Sequence, residues 1–228
     1  MNELFYFKPM RFRLLSKTLC LLMTMTVLTL AGIAQQTPVP KLRYYDSDGN
    51  LISNNEFVDI RMANFHYPDR TLMKTLDDGT VEFRLQKIPQ EGMQAPEFSV
   101  KTLDGRTITF SELRDKVVVL NFWFIGCQVC RAQKPLLNEL KAKFAGRDDV
   151  IFLAVTGDPA DAVRKYLAKE PFHYVQAADA KLPMEKFVFS GYPKNIVIDK
   201  QGKIVYWRSP VRAWDKFESV VRAELAKN

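Results

Sequence analysis

The residues best suited to chemistry in this chain are Cys127 and Cys130, which are separated only by Gln-Val. On a helical turn this spacing lies within the ~5 to 6 Å Cα separation that a disulfide tolerates. A bridge that closes so small a loop removes little entropy from the unfolded chain, so stabilisation is a poor reason for its presence. The pair therefore predicts thiol–disulfide exchange, with Cys127 as the attacking thiol and Cys130 as the resolving thiol.

A metal site is the main other use of two cysteines at this spacing. Zinc needs four ligands, and beyond the N-terminal 34 residues the chain offers no further cysteine and only His66 and His173. A copper-chaperone site would need three residues between the cysteines and a positioned histidine, whereas His173 falls in a predicted loop. We therefore expect no metal and no cofactor other than the redox-active disulfide itself.

Two predicted elements hold the cysteines. The apolar, β-branched run 116–123 is typical of a strand buried on both faces of a sheet. After Cys130, apolar residues recur at helical spacing up to Gly146, namely Leu136, Leu137, Leu140 and Phe144. A cysteine at the N-terminus of such a helix gains from free N–H groups and the helix dipole, which lowers its pKa. We expect Cys127 at this end and Cys130 one turn inside, where solvent access falls.

The N-terminus predicts export. Basic residues precede an apolar run from Leu19 to Ala31, followed by the small residues Gly32 and Ala34. This is the order of a secretory signal peptide, 1–34, cleaved after Ala34, and the protein would be periplasmic or secreted. The alternative is an uncleaved N-terminal anchor in the inner membrane. The third cysteine, Cys20, lies in the apolar run and would leave with the signal.

Charge and composition exclude other classes. The chain is 47% hydrophobic and 26% charged, which is typical of a globular protein and not of a disordered one. The formal charge is +7, of which the first 34 residues hold +3, so +4 remains on the processed chain. This excess is too small to indicate nucleic-acid binding.

The processed chain divides into three predicted parts. Residues 35–40 form a proline-containing tether, 41–90 a small β-rich extension, and 91–228 an α/β unit. In the extension we predict short strands separated by turn-forming clusters, at 41–45, 57–62, 71–75 and 81–85. The α/β unit begins with a hairpin around Asp104-Gly105 and a helical turn capped by Ser111.

The rest of the α/β unit alternates strands and helices. We predict a buried strand at 150–155, a helix at 161–169 capped from Asp158-Pro159, a hairpin over 195–207 and a closing helix at 217–226. This order implies a mixed sheet flanked by helices.

The sequence around the cysteines resembles the TlpA/ResA-type thioredoxin-like proteins of the AhpC/TSA (redoxin) superfamily. The resemblance covers 95–228 and rests on Val-Val-Val-Leu-Asn-Phe-Trp-Phe-Ile-Gly before Cys127, on Pro135, and on Gly191-Tyr192-Pro193 before a strand. It implies a thioredoxin-like fold and thiol:disulfide oxidoreductase activity. It also implies that Pro193 is a cis-proline facing the disulfide and that the Tyr192 backbone pairs with the substrate.

The resemblance implies further roles and shows several departures. Pro135 would bend the active-site helix, and Trp123 would pack beside the cysteines. Gly126 stands where many relatives carry a second tryptophan. Asn121 replaces the buried proton-shuttling carboxylate of thioredoxins, and Gln133 replaces a glutamate of haem-maturation relatives. The direction of electron transfer is left open, with a reductant favoured. The expected partners are protein thiols or disulfides and an electron donor in the periplasm or membrane.

Two other functions remain as alternatives. A thiol peroxidase of the peroxiredoxin kind would carry threonine and proline where Phe124 and Leu120 stand. A partner-binding module with a vestigial redox site would use aromatic residues of the extension, namely Tyr44, Tyr45, Phe65 and Tyr67. We favour these aromatics as the core of a small sheet, because isolated hairpins need such packing.

Overall fold

The computed structural model describes residues 39–64 and 71–227. In chain order the strands are β1 (Leu42–Tyr45), β2 (Leu51–Ile52), β3 (Leu72–Thr75), β4 (Val81–Arg84), β5 (Ser99–Lys101), β6 (Thr107–Thr109), β7 (Val117–Phe122), β8 (Val150–Val155), β9 (Val175–Ala177), β10 (Lys194–Ile198) and β11 (Ile204–Arg208). The helices are α1 (Asn54–Met62), α2 (Gln128–Ala142), α3 (Ala160–Leu167), α4 (Lys181–Glu185) and α5 (Trp214–Ala226). The predicted signal peptide and most of the tether lie outside the described residues.

A five-stranded sheet in the order β11-β10-β7-β8-β9 positions the cysteines. Strands β7, β8 and β9 run parallel, whereas β10 is antiparallel to β7 and β11 is antiparallel to β10. Every residue of β7 is buried, because both faces of this central strand are covered. The mixed sheet predicted from the sequence is therefore confirmed.

The covering elements follow from the alternation of side chains along β7. Val118, Leu120 and Phe122 point into one core, which the β5–β6 hairpin and α4 help to close. Val117 and Val119 point into the opposite core, which contains apolar side chains of α2, α3 and α5. The active-site helix α2 thus packs on the second face of the sheet.

The extension has a four-stranded sheet in the order β2-β1-β4-β3, with β1 parallel to β4. The predicted strand at 57–62 is wrong, because this segment belongs to helix α1. Ser53 begins the helix by accepting a hydrogen bond from the Glu56 N–H at 3.1 Å. The Tyr44, Phe57 and Phe83 rings pack together with centroids 4.5 to 5.7 Å apart. Of the four aromatic residues predicted for this core, Tyr44 packs in it, together with Phe57 and Phe83. The Tyr45 hydroxyl donates to Glu82 at 3.2 Å instead, and Phe65 and Tyr67 lie outside the described residues.

Helix α1 also contacts the α/β unit through polar groups. The Asp59 carboxylate accepts the N–H groups of Arg212 and Ala213 at 2.7 and 2.8 Å, at the start of α5. Burial raises the pKa of Asp59. The Asn64 amide oxygen accepts the indole N–H of Trp207 at 3.1 Å. The extension is therefore joined to β11 and to the loop that follows it.

Two predicted helix caps differ from the structure. The short helical turn at Phe110–Leu113 is 3₁₀ and is capped by Thr109 instead of Ser111, since Glu112 accepts the Thr109 N–H at 2.7 Å. Helix α3 begins after Pro159, and its first N–H, that of Ala160, donates to Asp179 Oδ2 at 3.2 Å, whereas the Asp158 carboxylate bonds elsewhere. Within 39–64 and 71–227, no helix has the length and apolarity to cross a membrane.

Candidate active site

Cys127 and Cys130 are joined in a disulfide at the start of α2, with their Cα atoms 5.2 Å apart. Cys127 is the N-cap residue, and its Sγ accepts the Cys130 N–H at 3.1 Å. The helix forms because its inward positions recur every three or four residues, at Cys130, Gln133, Lys134, Leu137 and Leu140. A sulfur atom is thus placed where the free N–H groups of a helix end favour negative charge.

Solvent access does not distinguish the two cysteines. Both are 6% exposed, and both pack in the core beneath α2. The expectation that access falls from Cys127 to Cys130 is therefore wrong in the disulfide form. What distinguishes them within 39–64 and 71–227 is a hydrogen bond, because there the Cys127 sulfur accepts a backbone N–H and the Cys130 sulfur accepts none. In the reduced protein, a bond of this kind would favour a thiolate on Cys127.

The loop that connects β7 to Cys127 is held by a carboxylate on the neighbouring strand connection. Asp158 Oδ2 accepts the Ile125 N–H at 2.7 Å and the Thr156 hydroxyl at 3.0 Å. A Cβ on Gly126 would lie only 3.2 Å from the Phe124 ring, which occupies that space. A side chain at position 126 would therefore require the Phe124 ring to shift by a few tenths of an ångström.

The loop before β10 lies beside this site. The Tyr192–Pro193 bond is cis, as the resemblance implied. Lys194, the next residue, pairs with Phe122 at the end of β7, so Pro193 adjoins the β7-to-Cys127 connection. The Tyr192 ring is 39% exposed and packs edge-on against Phe124, with centroids 5.1 Å apart. Burial, followed by the charges of Asp158 and Glu185, raises the pKa of Tyr192.

The polar residues expected near the cysteines are buried, and they form hydrogen bonds to other parts of the chain. Asn121 donates to the side-chain oxygen of Asn195 on β10 at 2.9 Å. Gln133 donates to the Val211 carbonyl at 2.7 Å, and its own side-chain oxygen has no partner in the described part of the chain. Neither residue brings a carboxylate to Cys130. Proton exchange at Cys130 must therefore use another group.

Trp123 packs in the same core as the two cysteines, and Pro135 lies inside α2. Trp123 is buried, with its ring 5.6 Å from the Tyr166 ring and 6.0 Å from the Phe172 ring. Pro135 is inside α2 on its exposed side, and its missing N–H removes one backbone hydrogen bond from the helix. Trp123 thus fixes the strand end, and Pro135 interrupts the helix that carries the cysteines.

A group of charged side chains adjoins the first turns of α2. Glu170 accepts hydrogen bonds from Arg131, from Lys134 at 2.9 Å and from the Tyr166 hydroxyl at 2.8 Å. Lys134 is buried, and its Nζ lies 4.3 Å from the centre of the Tyr166 ring. The hydrogen bonds from Lys134 and Arg131 lower the pKa of Glu170 to about 2.

A second buried lysine follows the cis-proline. Lys194 is fully buried, donates to the Ala63 carbonyl at the end of α1 at 2.6 Å, and lies 5.1 Å from the Trp207 ring centre. Burial, with a smaller effect of the nearby Arg208 charge, lowers its pKa to about 7.

Sequence reasoning did not find Asp158, Glu170 or Lys194 as site residues. One signal was available for the charged group, because Lys134 occupies an inward position of the helical pattern, where a cation needs a partner. The sequence predicts a helix cap at Asp158, and nothing in it distinguishes Lys194 from a surface lysine at a strand end.

Comparisons with known proteins agree with this geometry. The AhpC/TSA family model matches residues 92–207, about half of the chain. The thiol-disulfide oxidoreductase ResA of Bacillus thuringiensis is 32% identical over 118 residues, which cover 51% of this chain and 68% of that protein. The thioredoxin-like protein YneN of Bacillus subtilis is 30% identical over 117 residues, covering 50% and 69% respectively.

Solved structures extend the likeness to the fold. A structure assigned as the thiol:disulfide interchange protein DsbE of Chlorobium tepidum has a TM-score of 0.54 and 28% identity, covering 60% of this chain and 98% of that one. The thioredoxin domain of a thiol-disulfide oxidoreductase from Bacteroides vulgatus has a TM-score of 0.52 and 25% identity, covering 59% and 97%. The chain has the thioredoxin-like fold of these proteins and belongs to the AhpC/TSA family, where its relatives include the ResA-type thiol-disulfide oxidoreductases.

Proposed function

We propose that this protein is an exported thiol:disulfide oxidoreductase that exchanges its Cys127–Cys130 pair with protein substrates, chiefly as a reductant. The observation that carries the proposal is the hydrogen bond from the Cys130 N–H to Cys127 Sγ at the N-terminus of α2. The named activity of the ResA-type relatives supports the same reaction class. Export rests on the signal-like N-terminus of the sequence.

In the proposed reaction the reduced protein acts first. The Cys127 thiolate attacks one sulfur of a substrate disulfide, forming a mixed disulfide and releasing one substrate thiolate. Cys130 then loses its proton and attacks Cys127 Sγ, which closes the intramolecular disulfide and releases the second substrate sulfur. Two electrons pass to the substrate. Asn121 and Gln133 offer no carboxylate for this proton, and the substrate thiolate released in the first step is a base that can accept it.

The loop around Pro193 would dock the substrate. Tyr192 of this loop and Phe124, which are similarly exposed, form an apolar contact surface beside Cys127. The donor that re-reduces the pair would be a dithiol protein of the periplasm or membrane. No step of this cycle requires a metal or an organic cofactor.

The proposal is tested by the reduction of a protein disulfide, with dithiothreitol as the final donor. The wild type should accelerate reduction, and Cys127→Ser and Cys130→Ser should each abolish turnover, because one cysteine cannot complete the cycle. A reduction potential below about −200 mV would support the reductant role. Peroxide-driven turnover that persists in Cys130→Ser would instead indicate a thiol peroxidase.

A further inference from the structure

The charged side chains beside the first turns of α2 form a closed group that we call the Glu170 cluster, consisting of Arg131, Lys134, Tyr166 and Glu170. Both carboxylate oxygens of Glu170 are used. One accepts from an Arg131 Nη, while the other accepts from Lys134 at 2.9 Å, from Tyr166 at 2.8 Å and from Arg131 Nε at 3.2 Å. Lys134 also donates to the Glu170 backbone carbonyl at 3.1 Å and to the Tyr166 hydroxyl at 2.8 Å. The cluster thus contains two cations and one anion.

The two cations lie one helical turn from the two cysteines. The Arg131 N–H donates to the Cys127 carbonyl at 3.1 Å, which places Arg131 directly below Cys127. Lys134 is four residues after Cys130, on the same inward face of α2. The Lys134 side chain is only 8% exposed, so its field is weakly screened by water.

Other charged and titratable groups face the cysteines from neighbouring elements. Asp158 lies on the β8–α3 connection and is bonded to Ile125 in the loop that leads to Cys127. Tyr192 lies on the loop before β10, against Phe124. Asp158 opposes a thiolate, and Tyr192 is neutral near pH 7. Among these side chains, the two cations of the cluster have the sign of charge that favours a thiolate, and Glu170 offsets one of them.

We propose that Glu170 sets the equilibrium between dithiol and disulfide at Cys127 and Cys130 by holding and partly neutralising Arg131 and Lys134. This inference rests on the proposed function. When a dithiol donor reduces the disulfide, two electrons enter the pair, Cys127 is left as a thiolate and Cys130 takes one proton to become a thiol. A net positive cluster stabilises the negative Cys127, so any change in its charge shifts this equilibrium. Glu170 acts through the cations and is a positioning residue.

The size of the effect follows from geometry. Glu170 lies beyond cations whose residues are one helical turn from the cysteines, so its charge is taken as about 10 Å from the Cys127 sulfur. At that distance and an effective dielectric constant of about 25 to 50, a unit charge changes the equilibrium by roughly threefold to tenfold. For a two-electron couple a tenfold change corresponds to about 30 mV.

The experiment compares a variant that removes the anion of the cluster with one that removes a cation. Glu170→Gln removes the anion and should lower the Cys127 pKa and shift the equilibrium toward the dithiol by roughly threefold to tenfold. Arg131→Gln removes an exposed cation and should shift both quantities in the opposite direction. The readouts are the pH profile of alkylation of the reduced protein and equilibration with dithiothreitol redox buffers.

Glu218→Gln is the matched control. Glu218 also accepts from Lys143, at the C-terminal end of α2, and from Arg222 Nε at 2.8 Å. It therefore lies at the opposite end of the helix from the cysteines. This variant should leave the Cys127 pKa and the equilibrium unchanged.

Opposite shifts in Glu170→Gln and Arg131→Gln, with none in Glu218→Gln, would support the proposal, because a merely structural role would move both variants the same way. Shifts of the same sign, or none, would overturn it. A wild type that does not cycle between dithiol and disulfide would instead contradict the proposed function.

Discussion

Replacing the buried Lys194 with methionine should change how the stability of the protein depends on pH. Lys194 is fully buried, and its pKa is lowered from 10.5 to about 7, chiefly by burial. Below pH 7 the ammonium is charged in both the folded and the unfolded chain, and burying that charge costs stability. Between pH 7 and 10.5 the unfolded chain binds a proton that the folded chain does not. Folding stability therefore rises with pH across this window.

The magnitude follows from the two pKa values. As the pH rises from 6 to 9, the contribution of Lys194 to the free energy of unfolding of the wild type should increase by about 3 kcal/mol. A chain without this lysine should not show that increase. Lys194→Met removes the titration but keeps an unbranched apolar side chain. It also leaves the Ala63 carbonyl without its donor, which costs roughly 1 to 3 kcal/mol at every pH. The pH-dependent part of the stability difference between the two proteins therefore measures the effect of the Lys194 charge alone.

The assay is urea unfolding at pH 6, 7, 8 and 9 for the wild type, Lys194→Met and the control Lys200→Met. Lys200 also donates to a backbone carbonyl, that of Lys227 at 2.6 Å, but this contact is exposed. The difference between Lys194→Met and the wild type should change by about 3 kcal/mol over this range, in favour of the wild type at high pH. Parallel pH curves for these two proteins would refute the reasoning.

Three further predictions concern the backbone, the loop before Cys127 and processing. Val188 is a β-branched residue with φ of 46°, 77% exposed, so Val188→Asn should raise the free energy of unfolding by about 1 kcal/mol, whereas Val129→Asn on helix α2 should not. Unchanged or lower stability in urea unfolding of Val188→Asn would contradict this. Asp158→Ala should lower stability by about 1 to 2 kcal/mol and slow exchange, because the Ile125 N–H loses its acceptor, while Asp158→Asn should retain most of both. Intact-mass analysis of the exported protein should give an N-terminus at Gln35, and retention of 1–34 would indicate an anchored protein instead.

The elements that carry the cysteines could be predicted because their patterns are long and consistent. The predicted strand 116–123 corresponds to β7, and the apolar spacing after Cys130 corresponds to α2. Both elements depend on local sequence and on burial against a single sheet, and the spacing of apolar residues indicates this burial. The hairpin of β10 and β11 was found for the same reason.

The segment at 57–62 could not be assigned from periodicity, because Val58, Ile60 and Met62 alternate as in a strand while the residues form helix α1. A signal was present, since Ser53 and Glu56 have the spacing of a helix N-cap, and the Ser53 hydroxyl does accept the Glu56 N–H. The residues around the site were harder to predict. Lys194 and Asp158 owe their roles to contacts with residues distant in sequence, Ala63 and Ile125, which no local pattern encodes.

The central claim is that Cys127 attacks the substrate and Cys130 resolves the mixed disulfide. Each processed single-cysteine variant would carry one thiol, because Cys20 lies in the predicted signal peptide. The most direct measurement is trapping of disulfide-linked partners in the compartment where the protein acts, resolved on non-reducing gels. Cys130→Ser should accumulate mixed disulfides, since attack can proceed but release cannot, and Cys127→Ser should trap little. Trapping by Cys127→Ser but not by Cys130→Ser would contradict the account.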